Sequence, residues 1–96
     1  MPIFMVRRRH GPDWNASAPL EEQARWREHA EFIDRLYDEG FALLVGPLEG
    51  SDDAMIIVRA RDEEEIENRL RDDPWSGSLL DTTEIRCWTL RLGSLP

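Results

Sequence analysis

At 96 residues the chain is long enough for one domain with a modest core, of a size that often completes its burial against a partner. Twenty acidic against twelve basic residues leave a net charge of -8, a field that repels phosphate backbones and argues against nucleic acid as a partner. The only cysteine, Cys87, excludes an intramolecular disulfide and fits a reducing, cytoplasmic setting. The apolar start MPIFMV is too short for a signal core, and no run approaches the roughly 20 apolar residues of a membrane span.

Residues 3–9, IFMVRRR, are rich in strand formers and stop at the breakers His10-Gly11-Pro12-Asp13, which predicts a first strand. The run Arg7-Arg8-Arg9 at its end reads as solvated flanking charge. After a loop to Ser17, either Ser17 or Ala18 is placed to cap a helix. Its first turn holds Pro19, Glu21 and Glu22, which suits the missing proline donor and the helix dipole. This helix is expected to reach about Glu39 and to stop at Gly40.

FALLVGPLEG, residues 41–50, predicts a second strand broken by Gly46-Pro47 and leading into the turn cluster Gly50-Ser51-Asp52-Asp53. AMIIVRA, residues 54–60, predicts a third. DEEEIENRLRDD, residues 62–73, reads as a second helix with Asp62 and Glu65 spaced as a capping box, and Pro74 ends it. In EIRCWTLRLG, residues 84–93, Ile85, Cys87 and Thr89 alternate against Trp88, Leu90 and Leu92, the period of a fourth strand.

The order βαββαβ across residues 1–96 is that of an α+β, ferredoxin-like split unit, with two helices over one face of a four-stranded antiparallel sheet. Strands two and three are apolar at consecutive positions (Ala42 to Val45, Met55 to Val58), so both sheet faces should be dry while the helices cover only one. A homodimer packed through its sheet faces resolves this, giving an α/β-barrel-like assembly. The alternative is a monomer whose second face is covered by the loop 10–18 and its Trp14.

An advance of about 100° per helical residue gathers Trp26, His29, Ala30, Ile33, Leu36 and Tyr37 on one side of the first helix, so His29 points inward. A buried imidazole needs a hydrogen-bond partner or a pocket, and histidine is the usual acid or base near neutral pH. Asp73, in the Asp72-Asp73-Pro74-Trp75 turn after the second helix, is the candidate partner that would fix its tautomer; otherwise Asp73 is a solvated turn acid. Trp26 and Trp75 adjoin this pair in sequence and are the candidate aromatic walls of a small-molecule site. Other chemistries lack support. His10, His29 and Cys87 have no metal-ligand spacing, no glycine-rich loop implies a nucleotide cofactor, and Ser17, Ser51, Ser76 and Ser78 sit in no nucleophile elbow.

His29 midway along helix one, Gly40 followed by a strand with Gly46-Pro47-Leu48, and Asp73-Pro74-Trp75 after helix two together resemble the YCII-related family over nearly the whole chain. The resemblance implies a dimeric α/β barrel of the kind shared with muconolactone isomerases and an active site built on a histidine and an aspartate, which fall on His29 and Asp73. It also adds Gly46 and Pro47 to the candidate ligand contacts. A related dehydrochlorinase acts on chlorinated hydroquinones, which implies that proton abstraction or elimination on a small ring suits this architecture. Where many members carry an arginine three positions before the histidine and a leucine after it, this chain has Trp26 and Ala30, a departure that touches any shared anion-binding arginine.

Two functional readings follow. One is a cofactor-independent enzyme using His29 and Asp73 for acid/base chemistry on a small, in particular cyclic, organic substrate. The other is a non-catalytic dimeric module for a small ligand or a protein partner.

Overall fold

The computed structural model describes residues 1–94 and carries four strands and two α-helices: β1 (Ile3–His10), α1 (Trp26–Asp38), β2 (Ala42–Pro47), β3 (Asp53–Arg59), α2 (Glu63–Arg71) and β4 (Leu80–Cys87). The strands form one antiparallel sheet in the order β2-β3-β1-β4, an α+β arrangement consistent with a ferredoxin-like fold. Among the described residues, no helix is long and apolar enough to cross a membrane.

The two-residue period of β1 sends Phe4, Val6 and Arg8 to the helix side, opposite Val58, Ile56 and Ala54 of β3. There Val6, Val58, Ala60 and Ile66 are fully buried against Phe32 and Leu36 of α1 and Leu70 of α2. The other face carries Ile3, Met5, Met55 and Ile57, with Leu44 opposite Ile57. Its apolar strip gives way to charge where Asp53 accepts from Arg7 and Arg9, both at 2.9 Å.

Helix α1 begins eight residues later than the capping pattern at Ser17 predicts. Pro19 instead opens a single 3-10 turn at Leu20–Glu22. Gln23, buried, then knots the preceding loop: its amide donates to the carbonyls of Asn15 and Ala18 and accepts from the Asn15 N–H. Arg25 follows at φ 60, ψ 30, a left-handed conformation that reverses the chain into α1. The end is as expected. Gly40 at φ 81 donates to Tyr37, and Phe41 donates to Leu36, a Schellman closure whose apolar partners Leu36 and Phe41 are both buried. Tyr37, expected inward, is 62% exposed, and Phe32 takes the inward place beside Leu36.

Helix α2 is capped by Asp62, which accepts from the Glu65 N–H at 2.9 Å, while the Glu65 carboxylate reaches one residue further back, to Arg61 N–H. Strand β4 lies earlier than the 84–93 alternation implies. Its register is set by pairing from His10↔Leu80 to Phe4↔Cys87, so Trp88, Leu90 and Leu92 fall beyond it. On β2, Leu44 and Val45 remain 56% and 43% exposed in the single chain: Leu44 stands opposite Ile57 on the face that the two helices leave uncovered, and Val45 lines a cavity on the helix side.

The loop 10–18 packs on the helix side. Trp14 lies against the small cluster of Trp75, Leu79 and Leu80, so it does not cover the second sheet face. Gly11 makes this docking possible, because its N–H donates to Leu79 at 2.8 Å and a Cβ there would sit 2.4 Å from the Ser78 carbonyl oxygen. Gly11→Ala should therefore cost about 1–3 kcal/mol of stability, the range for overpacking a tight contact, read as a lower urea midpoint at unchanged slope.

Candidate active site

The turn after α2 is written in its residues. Asp73 and Pro74 occupy the first two positions of a β-turn closed by Ser76 N–H donating to the Asp73 carbonyl at 3.0 Å, and the Asp73 carboxylate accepts from Trp75 N–H at 2.9 Å. This turn tucks the carboxylate inward, where it is 3% exposed, in place of the solvated turn acid that remained open from sequence.

His29, one turn into α1, meets it there. Its Nδ1 lies 2.9 Å and 3.1 Å from the two Asp73 oxygens. An ionised carboxylate only accepts, so Nδ1 carries the proton and Nε2 of the neutral ring is left with its lone pair. Nε2 has no protein hydrogen-bond partner among the described residues and is not sealed from solvent. The imidazole stacks on the Trp75 indole, centroids 3.9 Å apart and planes within 4°, and Trp75 is itself pinned by its Nε1–H donating to Ala24 at 2.7 Å.

A third member escaped the sequence reading. Arg8, grouped with its neighbours as solvated charge, is 1% exposed and donates to Asp73 at 2.7 Å and to Ser76 Oγ at 2.7 Å. The signal for it was the strand period: Arg8 follows Phe4 and Val6 on the inward face, whereas Arg7 and Arg9 point to the other side. Its Nε finds no acceptor among the described residues, a cost accepted for the pair it makes. Burial pushes the Asp73 carboxyl up, but the contacts from His29, the Trp75 N–H and Arg8 outweigh it and hold the group below its ordinary value of 3.8.

That direction fixes a pH dependence. A carboxylate whose folded pKa is depressed contributes stability above its unfolded value and loses it as pH falls through the folded one. Stability should thus drop as pH is lowered through the ordinary carboxylate value of 3.8 and on through the lower folded one, and Asp73→Asn, less stable at neutral pH, should show a shallower acid slope in urea midpoints.

The imidazole forms part of the wall of a cavity of about 420 Å³ between α1, the 10–20 segment and the ends of β2 and β3. Trp14, Trp26 and Trp75 line it with Leu20 and Leu80, and Trp26 and Trp75 lie 5.9 Å apart at a tilt. Trp14 is stacked on His10 at 3.7 Å and meets Trp75 edge-on. Val45, Gly46 and Pro47 close the side at β2. All six residues singled out from sequence, His29, Asp73, Trp26, Gly46, Pro47 and Trp75, are thus gathered here, Asp73 behind the imidazole and the other five on the cavity wall.

The arrangement suits general base catalysis: an oriented imidazole, its outward nitrogen open to a small aromatic-lined space, with a compensated carboxylate behind it. Compared with protein-family models, curated proteins and solved structures, the chain finds no match.

Proposed function

We propose that the protein is a cofactor-independent enzyme in which His29, held by Asp73, moves a proton on a small organic substrate, ring compounds in particular, in an isomerisation or an elimination. The observation that carries this reading is the 2.9 Å contact between His29 Nδ1 and Asp73, with Nε2 free at a cavity wall. Nε2 takes a proton from substrate carbon or hydroxyl as general base, and the Asp73 carboxylate compensates the imidazolium that forms. In an isomerisation the proton returns to a different substrate atom. In an elimination the electron pair of the broken C–H bond becomes a carbon–carbon π bond, the leaving group on the neighbouring carbon departs with the electron pair of its own bond, and the proton passes from the imidazolium to solvent. The test is a screen of lactones and hydroxylated aromatics for turnover that His29→Gln abolishes; a substrate converted equally by that variant overturns the reading.

Membership of the YCII-related family is part of the same proposal, supported by the element order and by the pairing of His29 with Asp73. So is a homodimer through the sheet face that carries Ile3, Met5, Met55 and Ile57. It is supported by the engagement of the 10–18 loop on the helix side, which removes the cover a monomer would need. Sedimentation should give twice the chain mass, reduced to one by Leu44→Arg, at a position on that face that is 56% exposed in the single chain. One observation favours the binding module instead: the imidazole is only 9% exposed and lies flat on an indole, as a packed residue would. A His29→Gln variant that binds ligand unchanged and loses only stability would establish that alternative.

A further inference from the structure

Charge is distributed unevenly around the cavity. Among the described residues no arginine lines it, the chain contains no lysine, and the arginines that reach a lining residue, Arg7 and Arg9, are both engaged by the Asp53 carboxylate. Arg8, the nearest cation to His29 through Asp73, is buried behind the carboxylate that matches its charge. Two acids do line the space. Asp53 is neutralised by Arg7 and Arg9, whereas Asp34 is exposed and has no ion-pair partner among the described residues. The remaining walls are the indoles of Trp14, Trp26 and Trp75, the two imidazoles, and the aliphatic Leu20, Ile33 and Val45.

We infer that the cavity takes uncharged planar rings and rejects carboxylates and phosphates. This rests on the reading of the cavity as a substrate site and names the class of that substrate: a one- or two-ring compound whose reacting proton is on a hydroxyl or on a carbon beside a carbonyl. A flat ring exchanges water for aromatic and aliphatic walls at no electrostatic cost. An anion of the same shape gives up its hydration, meets no cation that is not already paired, and enters beside the unpaired charge of Asp34. Only a protonated imidazole could offset this, by leaving a net positive charge over His29, Asp73 and Arg8. The discrimination therefore belongs to solutions in which the ring is neutral, with His10, Asp34 and Asp53 the other titratable groups facing the space.

The experiment is calorimetric titration of the intact protein at pH 8 with 2-naphthol and 2-naphthoate, matched in ring and differing in charge. Naphthol should bind, and naphthoate should bind more weakly by on the order of 10-fold or more. Asp34→Arg, at an exposed position where folding is undisturbed, should narrow or reverse that ratio, and Trp26→Ala should weaken naphthol. Equal affinities in the wild type, or a ratio that Asp34→Arg leaves unmoved, would overturn the charge selection while leaving a ligand site intact. Failure of both probes to bind would remove the site itself and the selection with it. The proton-transfer reading fails separately, through turnover retained in His29→Gln.

Discussion

Turnover of any substrate found for this protein should fall by roughly 100- to 10,000-fold when His29 is replaced by glutamine, the usual contribution of a positioned acid or base. Glutamine keeps a polar group in reach of Asp73, so the carboxylate loses little of its hydrogen bonding while the side chain loses all capacity to accept a proton. The fall should appear in kcat, with KM changing much less, because the imidazole contributes to proton transfer and only slightly to the wall area that a ring contacts. One limb of the pH–rate profile should disappear with it. A urea midpoint measured on the same variant separates the chemistry from the packing of the ring on Trp75.

The largest effect on stability is expected at the carboxylate. Asp73→Ala removes the acceptor for His29, for the Trp75 N–H and for Arg8 at once, and it strands a guanidinium that is 1% exposed. Breaking one side of such a buried pair costs about 3–5 kcal/mol, a large share of what a domain of this size has in reserve. Arg8→Met should cost less, because Asp73 keeps two of its three kinds of donor and the new side chain fills the space. The double variant should lose less than the sum of the two, since the stranded charge is gone. Chemical denaturation of the four proteins closes the cycle, and strictly additive losses would show that Arg8 and Asp73 do not act as a pair. Arg8→Lys is informative beside them: a single ammonium cannot span Asp73 and Ser76 as the forked guanidinium does.

Much of this was legible in the sequence because two periods and a few breakers carry it. Gly40 ends α1 where its left-handed tolerance predicts, and α2 ends at Arg71, two residues short of the stop expected at Pro74, so the order of elements follows from residues acting locally. His29 was legible as a candidate because it is polar on an inward helix face, and Asp73 because it stands in the turn after α2, where a solvated acid was the other reading; that they meet is a property of the packed sheet, 44 residues apart in the chain. What stayed hidden was non-local. The start of α1 is decided by Gln23 bonding back to Asn15 and Ala18, which overrides the cap offered by Ser17. The position of β4 is decided by its pairing with β1, which outweighs the alternation continuing past Cys87. Arg8 was hidden by its company: three arginines in a row suggest solvent, although a strand sends the middle one to the opposite side from its neighbours.

Both histidines of the chain lie flat against an indole, His29 on Trp75 and His10 on Trp14. A protonated imidazole in face contact quenches indole emission by accepting an electron from the excited ring, and the neutral form does so far less. The unlabelled chain therefore carries two optical gauges of its own ionisation, and His10→Gln leaves the one that reads the nitrogen at the cavity wall.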